Sequence, residues 1–310
     1  AGIMEHIEQA GIHSGDSACA IPPYSLPGPV VEEIRQATCV MAKTMQVKGL
    51  MNVQYAVKKE NGRPLVYVLE VNPRASRTVP FVSKAIGWPL AKSASKVMVG
   101  ISLREQGWTK VPIPSRVSVK EAVLPFAKFS GVDIVLGPEM KSTGEVMGVN
   151  RFFSIAYAKS QIAAGTALPR AGRIFISVAD RNKHQIVELA RRLHNLGFEL
   201  VASKGTADRL EQNGIQVVRV KKIKEGHPNV LDYIVNGDIQ LIINTPSGKG
   251  ARTDEGRIRA SAIAQGIPCI TTISAAEAAV KAMEAMAQDA DFEVEAVQDR
   301  FPDYGRPPKL

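Results

Sequence analysis

The sequence predicts an α/β protein in two parts: an unevenly patterned α+β part over residues 1–165 and a doubly wound parallel sheet over 166–310. Three observations carry this reading. The chain has 310 residues, a length that favours about two domains. From residue 173 onward, short apolar runs alternate with segments of helical period, as in a parallel sheet covered on both faces. Between the parts stands GTALPRAG, residues 165–172, where Gly, Pro and Thr break both periodicities as a linker would.

Each element has its own justification. Residues 29–48 carry apolar side chains at helical spacing: Val30, Ile34, Ala37, Val40 or Met41, and Met45. Strands are expected at 50–57 and 65–71, joined across KKENGRP, where Asn61 and Gly62 tolerate the positive φ of a tight turn. A helix ended by Gly100 is expected over 80–100, an extended segment over 118–125, a glycine-punctuated loop over 137–148 and a helix over 150–164. The second part reads as strands at 173–178, 198–202, 215–220, 239–244 and 268–272. Helices fall at 182–196, before Gly214, and at 229–235, 255–265 and 275–287. Ligands of such sheets bind beyond the carboxyl ends of the strands, which directs attention to loops 179–183, 203–206 and 245–250.

Composition narrows the class. Apolar residues make up 45% and charged residues 22%, enough for a real core and unlike a collagen, a disulfide-stapled miniprotein or a disordered tail. No run approaches the ~18 apolar residues of a membrane-spanning helix. Cys19, Cys39 and Cys269 are far apart and form no CxxC pair, so neither a zinc site nor a disulfide framework is expected, and a reducing cytoplasm suits them. The opening AGIMEHIEQAGIHSGDSACAIPP lacks the basic and apolar regions of a signal peptide. It also lacks an initiating Met, which suggests a start inside a longer protein. Thirty-nine Lys and Arg against thirty Asp and Glu give +9. The charge is spread along the chain, aromatics are 5%, and no basic-aromatic interleaving appears, so small phosphorylated ligands explain the charge without a nucleic-acid partner.

Two constellations carry chemistry. LEVNPR sets Glu70 and Asn72 two residues apart at a strand end, hence on one face, and MNVQYAV brings Gln54 within reach across the hairpin. One carboxylate with two amide oxygens suits a hard cation such as Mg²⁺, and Arg74 adds a charge for a phosphoryl group. The same pattern also reads as an exposed polar face with Glu70 paired to a lysine. In the second part Ser177, Lys183, Ser203, Thr206, Asn244, Thr245, Ser247 and Gly248 fall at strand ends or just beyond. Hydroxyls and free N–H groups opening into helices suit a phosphate, with Arg219, Lys221, Lys222 and Lys224 as countercharge. The alternative is a turn-rich loop and a solvated basic face.

HIEQAGIHSGDS, MNVQYAV…VYVLEVNPRASRTVPFVSKAIGWPLAK and VKEAVLPFAKFSGVDIVLGPEMKSTGEVMG resemble the closing segment of an ATP-grasp domain, that of carbamoyl-phosphate synthetase large chains. SKGTADRLEQNGI and INTPSGKGARTDEGRIRASAIAQGIPCITT resemble the methylglyoxal-synthase-like regulatory domain that ends the same chains. The resemblance implies ATP-dependent phosphorylation of carbamate, one step in making carbamoyl phosphate for arginine and pyrimidine synthesis. It implies that Gln54, Glu70 and Asn72 hold Mg²⁺ or Mn²⁺ on ATP and that Arg74 lies beside the transferred group. Gly11, Ile12, His13 and Ser14 would line the nucleotide pocket. Such transfer needs charge neutralisation and positioning more than covalent help.

In the second part the resemblance implies a UMP-like effector at Lys183, Ser203, Thr206, Lys222, Asn244 and Thr245. An ornithine site is implied at Glu8, Asp16, Glu121 and Thr271, although Cys269 replaces an aromatic residue that helps hold ornithine. The implied partners are a glutaminase small subunit and the rest of the large chain, in an oligomer, with no nucleic acid and no membrane. Several alternatives stay open. His13 reads equally as a surface hydrogen-bonder, and Glu8, Asp16 and Glu121 as surface acids. The whole chain also reads as a purely regulatory module. A methylglyoxal synthase would need a carboxylate base, for which Asp180 and Asp208 are available but have no motif. No glycine-rich loop with its lysine precedes the segment, so the 310-residue chain alone is expected to lack turnover.

Overall fold

A buried carboxylate organises the start of the chain. Glu5, in β1 (Glu5–His6), accepts from the backbone N–H groups of Tyr24, Ser25 and Leu26 at 2.8, 2.8 and 3.1 Å, which satisfies donors that a turn would otherwise bury unpaired. β2 (Cys19–Ile21) pairs antiparallel with β1, His6 opposite Cys19. The computed structural model describes residues 1–129, 131–221, 223–247, 253–288 and 292–306. Two units emerge: one of residues 1–6, 19–118 and 293–310, the other of 7–18 and 119–292. The expected linker at 165–172 therefore lies inside the second unit.

In the first unit, Pro29 starts α1 (Gly28–Thr44) with a preset φ. Its buried residues are Val30 and Ile34, while Val40 and Met45, expected on the same apolar face, are exposed. β3 (Asn52–Glu60) and β4 (Arg63–Asn72) form the expected hairpin, with Asn61 and Gly62 at φ 50° and 78°. The single helix expected over 80–100 is two: α2 (Val79–Ile86) and α3 (Leu90–Met98). Gly87 ends α2 in the left-handed region at φ 72°, and Pro89 interrupts the backbone donors before α3. Trp88, between them, stacks on Trp108 at 4.5 Å and donates from Nε1 to Ser93 Oγ at 2.9 Å.

The second unit contains β5 (Val117–Val123) from Val119 onward, and the neighbouring β6 (Gly144–Asn150). The loop expected over 137–148 thus ends in a strand. The misleading glycine is Gly148, which marks a close approach rather than a turn. A Cβ there would stand 2.0 Å from the Ala156 carbonyl and 2.5 Å from Ser160 N, both in α4 (Phe153–Ala164).

The remaining strands are β7 (Arg173–Ser177), β8 (Glu199–Ser203), β9 (Val218–Val220), β10 (Leu241–Asn244) and β11 (Cys269–Ile270). They form one parallel sheet in the order β11-β10-β7-β8-β9. β9 and β11 are shorter than expected. The helices are α5 (Lys183–Asn195), α6 (Lys204–Glu211), α7 (Val230–Val235), α8 (Asp254–Ala264) and α9 (Ile273–Ala287).

Phe175, Val201 and Ile242 pack with Ile234, Ile258 and Ala262 of α7 and α8. Their strand neighbours Ile174, Ile176, Leu200 and Ile243 are buried as well, so the sheet is covered on both faces, as continuous apolar strands require. The chain leaves β7 to one side for β8 and β9, then to the other for β10 and β11. The crevice at that reversal, between β7 and β10, is where such sheets receive ligands. Among the described residues no helix is long and apolar enough to cross a membrane, and Cys19, Cys39 and Cys269 form no disulfide.

Candidate functional site

Register decides whether Gln54 meets Glu70. Regular pairing from the two-residue turn would set Gln54 opposite Leu69 and Glu70 opposite Val53, with the polar groups on different faces. Instead the register shifts between Gln54 and Tyr55, skipping Leu69. Gln54 then opposes Glu70, and Asn52 opposes Asn72. The bulge brings Asn52, Gln54, Glu70 and Asn72 to one face. Asn52 escaped the sequence reading because its partner depends on that shift. Lys58 pairs with Glu60 at 2.8 Å rather than with Glu70. Arg74, directly after β4, donates its N–H to Asn72 O at 2.8 Å and Nη1 to Ala75 O at 3.3 Å. Among the described residues no three His, Cys, Asp or Glu side chains gather to hold a metal. The donor set here is one carboxylate with amide oxygens, which fits a hard divalent cation.

Gly11, Ile12, His13 and Ser14 belong to the second unit, in a tightly tied loop. His13 donates its N–H to Gly137 O at 2.8 Å and accepts at Nδ1 from Gly15 N at 3.0 Å, so its ring anchors a turn. Lys120, fully buried, donates to Ser14 O and Gly15 O at 3.0 and 3.1 Å. Asp16 is no surface acid: it is 2% exposed and accepts from Lys141 N and Ser142 N at 2.7 and 2.8 Å.

Glu8 and Glu121 form an acidic pair in the same unit. Glu8 accepts from Thr272 Oγ1 at 2.9 Å. Burial raises its pKa, and that hydrogen bond opposes the rise. Glu121 accepts from Ala122 N at 3.1 Å and from Gln161 Nε2. Burial is the main force that pushes Glu121 up to about 7, and the charge of Glu8 adds to it. Two desolvated carboxylates within Coulomb reach suit a cationic ligand. The hydroxyl that meets Glu8 is that of Thr272, also the N-cap of α9, and not that of the expected Thr271.

Glu121 makes the stability of this unit depend on pH. Its folded pKa lies above its unfolded one, so this group's unfavourable contribution is absent below about 4.5 and complete above about 7. Glu121→Gln is therefore expected to raise stability relative to the parent by about 1–2 kcal/mol at pH 8, allowing for partial exposure, and to leave it unchanged at pH 4. Thermal unfolding of both proteins across that range checks the sign. Equal differences at both pH values would contradict it.

At the carboxyl ends of β7, β8 and β10 the expected phosphate residues converge. Ser177 Oγ meets Ser203 Oγ at 2.9 Å. Thr206 Oγ1 accepts from Val178 N at 3.2 Å, and Thr245 Oγ1 from Ala179 N at 2.9 Å. Asn244 donates from Nδ2 to Ser177 O at 3.0 Å. Lys183 Nζ pairs with Asp180 at 2.6 Å, which holds that carboxyl below its usual range. The same Nζ lies 2.8 Å from where a Cβ on Gly205 would stand, placing its charge at the first turn of α6.

Other members of the expected set are engaged elsewhere. Ser247 donates from Oγ to Glu255 at 2.5 Å and from N at 2.9 Å. Arg219, expected as countercharge, is neutralised by Asp208 at 2.6 Å and by Glu211. Lys221 Nζ donates to His227 O at 3.1 Å. Lys222 and Gly248 lie outside the described residues.

Residues 1–106 match the carbamoyl-phosphate synthase L chain ATP binding domain, and residues 185–271 match the MGS-like domain. The carbamoyl phosphate synthase large chain of Rhodopirellula baltica is 63% identical over 300 residues, 97% of this chain and 28% of that protein. The chain belongs to the carbamoyl phosphate synthase large-chain family. The large chain of Nostoc sp. is 52% identical, with coverage of 98% and 27%, and that of Archaeoglobus fulgidus 55%, with 92% and 26%. The chain thus spans about a quarter of the length of these large chains. Among solved structures, methylglyoxal synthase from Elizabethkingia anophelis aligns with a TM-score of 0.31 and 18% identity, covering 44% of this chain and 93% of that one.

Within this large-chain segment, two more residues passed unnoticed in the sequence. Arg259 is fully buried between Asp133 and Asn244. Lys120 sits fully buried beneath the loop of residues 11–17. A charged side chain in an apolar helix or strand reads as solvent-facing, so neither carried a signal.

Proposed function

We propose that residues 1–165 close the ATP site at which carbamate is phosphorylated, and that residues 166–310 form a nucleotide-responsive regulatory domain. In this reading Gln54, Glu70 and Asn72 hold the Mg²⁺ or Mn²⁺ that, when bound, neutralises phosphate charge. Arg74 orients the transferred phosphoryl group through charge-assisted hydrogen bonds. The tied loop of Gly11, Ile12, His13 and Ser14 lines the nucleotide. The regulatory site is the β7/β10 crevice, with Ser177, Lys183, Ser203, Thr206, Asn244 and Thr245 receiving a UMP-like effector, and Lys222, Ser247 and Gly248 complete the expected effector set. Glu8 and Glu121 hold an ammonium group such as that of ornithine, with Asp16 and Thr271 as the further members of that expected set. The partners are a glutaminase small subunit and the remainder of a large chain, within an oligomeric cytoplasmic enzyme.

The supporting observation is the bulge that sets Gln54 opposite Glu70. It is tested in a full-length large chain containing this segment, by ATP formation from ADP and carbamoyl phosphate. Gln54→Ala is expected to raise the half-saturating Mg²⁺ concentration about tenfold, a loss of ~1.4 kcal/mol of binding. An unchanged Mg²⁺ requirement would remove Gln54 from the metal set.

The second reading, a purely regulatory module, is favoured by the convergence of hydroxyls in the β7/β10 crevice. It predicts UMP binding to the 310-residue chain with no effect of Gln54→Ala in any phosphoryl-transfer assay.

A further inference from the structure

We propose that Arg259 is a positioning residue that presents Asn244 to the effector as a hydrogen-bond donor, a role that rests on the nucleotide reading of the β7/β10 crevice. Arg259 comes from α8 and is fully buried. Its guanidinium makes two parallel bonds to Asp133, Nε to Oδ1 and Nη2 to Oδ2, each 2.7 Å. That fork fixes the plane of the group. The remaining nitrogen, Nη1, donates to Asn244 Oδ1 at 2.8 Å.

Arginine has donors and no acceptor, so the oxygen of the Asn244 amide has to face it. The Nδ2 end then faces β7, where it donates to Ser177 O at 3.0 Å. Asn244 is itself fully buried, and the two bonds leave its amide one defined orientation. The second N–H on the Nδ2 side is what a ligand would meet once the crevice opens over Asn244. The crevice therefore selects an effector that offers an oxygen acceptor at this point, a phosphate oxygen or a base carbonyl. Asp133 extends the dependence to the segment between β5 and β6, well separated in sequence from the crevice loops.

The test is a double-mutant cycle on the 310-residue chain with UMP as the probe, read by NMR titration so that millimolar affinities remain measurable. Arg259→Lys keeps a charge for Asp133 but cannot span both partners. It is expected to weaken UMP about tenfold in the parent and to have no further effect in the Asn244→Ala background. Coupled residues give such non-additivity, whereas a merely structural role gives equal losses in both backgrounds. Equal losses, or parental affinity in Arg259→Lys, would overturn the role of Arg259 alone. Absence of UMP binding to the parent would overturn the reading of the crevice and the role with it. Should Arg259→Lys fail to fold, Asp133→Asn serves in its place. A several-fold loss confined to the Asn244-containing background supports the proposal, and any other pattern overturns it.

Discussion

Glu70→Gln, placed in a full-length large chain containing this segment, will cut carbamoyl phosphate formation at least about 100-fold while leaving the thermal midpoint within a degree or so. Glu70 is the one carboxylate among Asn52, Gln54, Glu70 and Asn72, which the bulge sets together, and the substitution preserves its shape. What disappears is the negative charge that a hard cation needs from its ligands. Charge stabilisation at phosphoryl transfer is commonly worth several kcal/mol, and a few kcal/mol is a factor of a hundred or more in rate. Because Glu70 is exposed, its loss strains no packing, which separates the kinetic effect from unfolding. Retention of more than a tenth of the parental rate would remove Glu70 from the phosphoryl-transfer site. UMP binding to the β7/β10 crevice should be untouched by the change, and its loss would point to general misfolding.

The largest stability effect is expected at Gly148. A methyl group there would stand 2.0 Å from the Ala156 carbonyl oxygen and 2.5 Å from Ser160 N, inside the contact distance of either atom. Both atoms belong to the backbone of α4, so relief requires the helix to move away from β6. Overpacking of this kind costs typically 1–3 kcal/mol and more when backbone has to shift. Gly148→Ala should therefore lose about 3 kcal/mol, roughly 5 °C in midpoint for a chain of this size. Gly144→Ala in the same strand is the internal control. Its Cβ would meet Val123 side-chain atoms at 3.8 Å, an ordinary contact, and the cost should stay below about 1 kcal/mol. Comparable midpoints for the two variants would show that the helix does not sit as closely on the strand as described.

Much of the fold was legible because its periodicity was simple. The alternation from residue 173 onward fixes the parallel sheet. Asn61-Gly62 announces the hairpin through the positive φ that both residues adopt. What stayed hidden depends on tertiary geometry. The break between α2 and α3 is written locally as Gly87 and Pro89, yet the apolar period continues through it and masks the stop. β6 was obscured because Gly148 looks like a turn residue when read alone and like a contact residue only once α4 lies on it. At the sites, the strand-end positions of Ser177, Ser203 and Asn244 follow from the pattern of apolar runs. The supporting groups do not. Arg259, Lys120 and Thr272 act through partners 15 to 264 residues away, separations at which no local spacing carries information.

The skipped residue at Leu69 has a consequence for how the hairpin can vary among large chains. Every residue added to or removed from the arms between the Asn61-Gly62 tip and the polar cluster exchanges inside for outside along the strand beyond it. Changes in even steps leave Gln54 and Glu70 on a common side, whereas odd ones separate them unless the bulge is lost or a second irregularity restores the match. Length variation at this tip should therefore be quantised in twos, whereas deletion of Leu69 alone would remove the irregularity and keep Gln54 opposite Glu70.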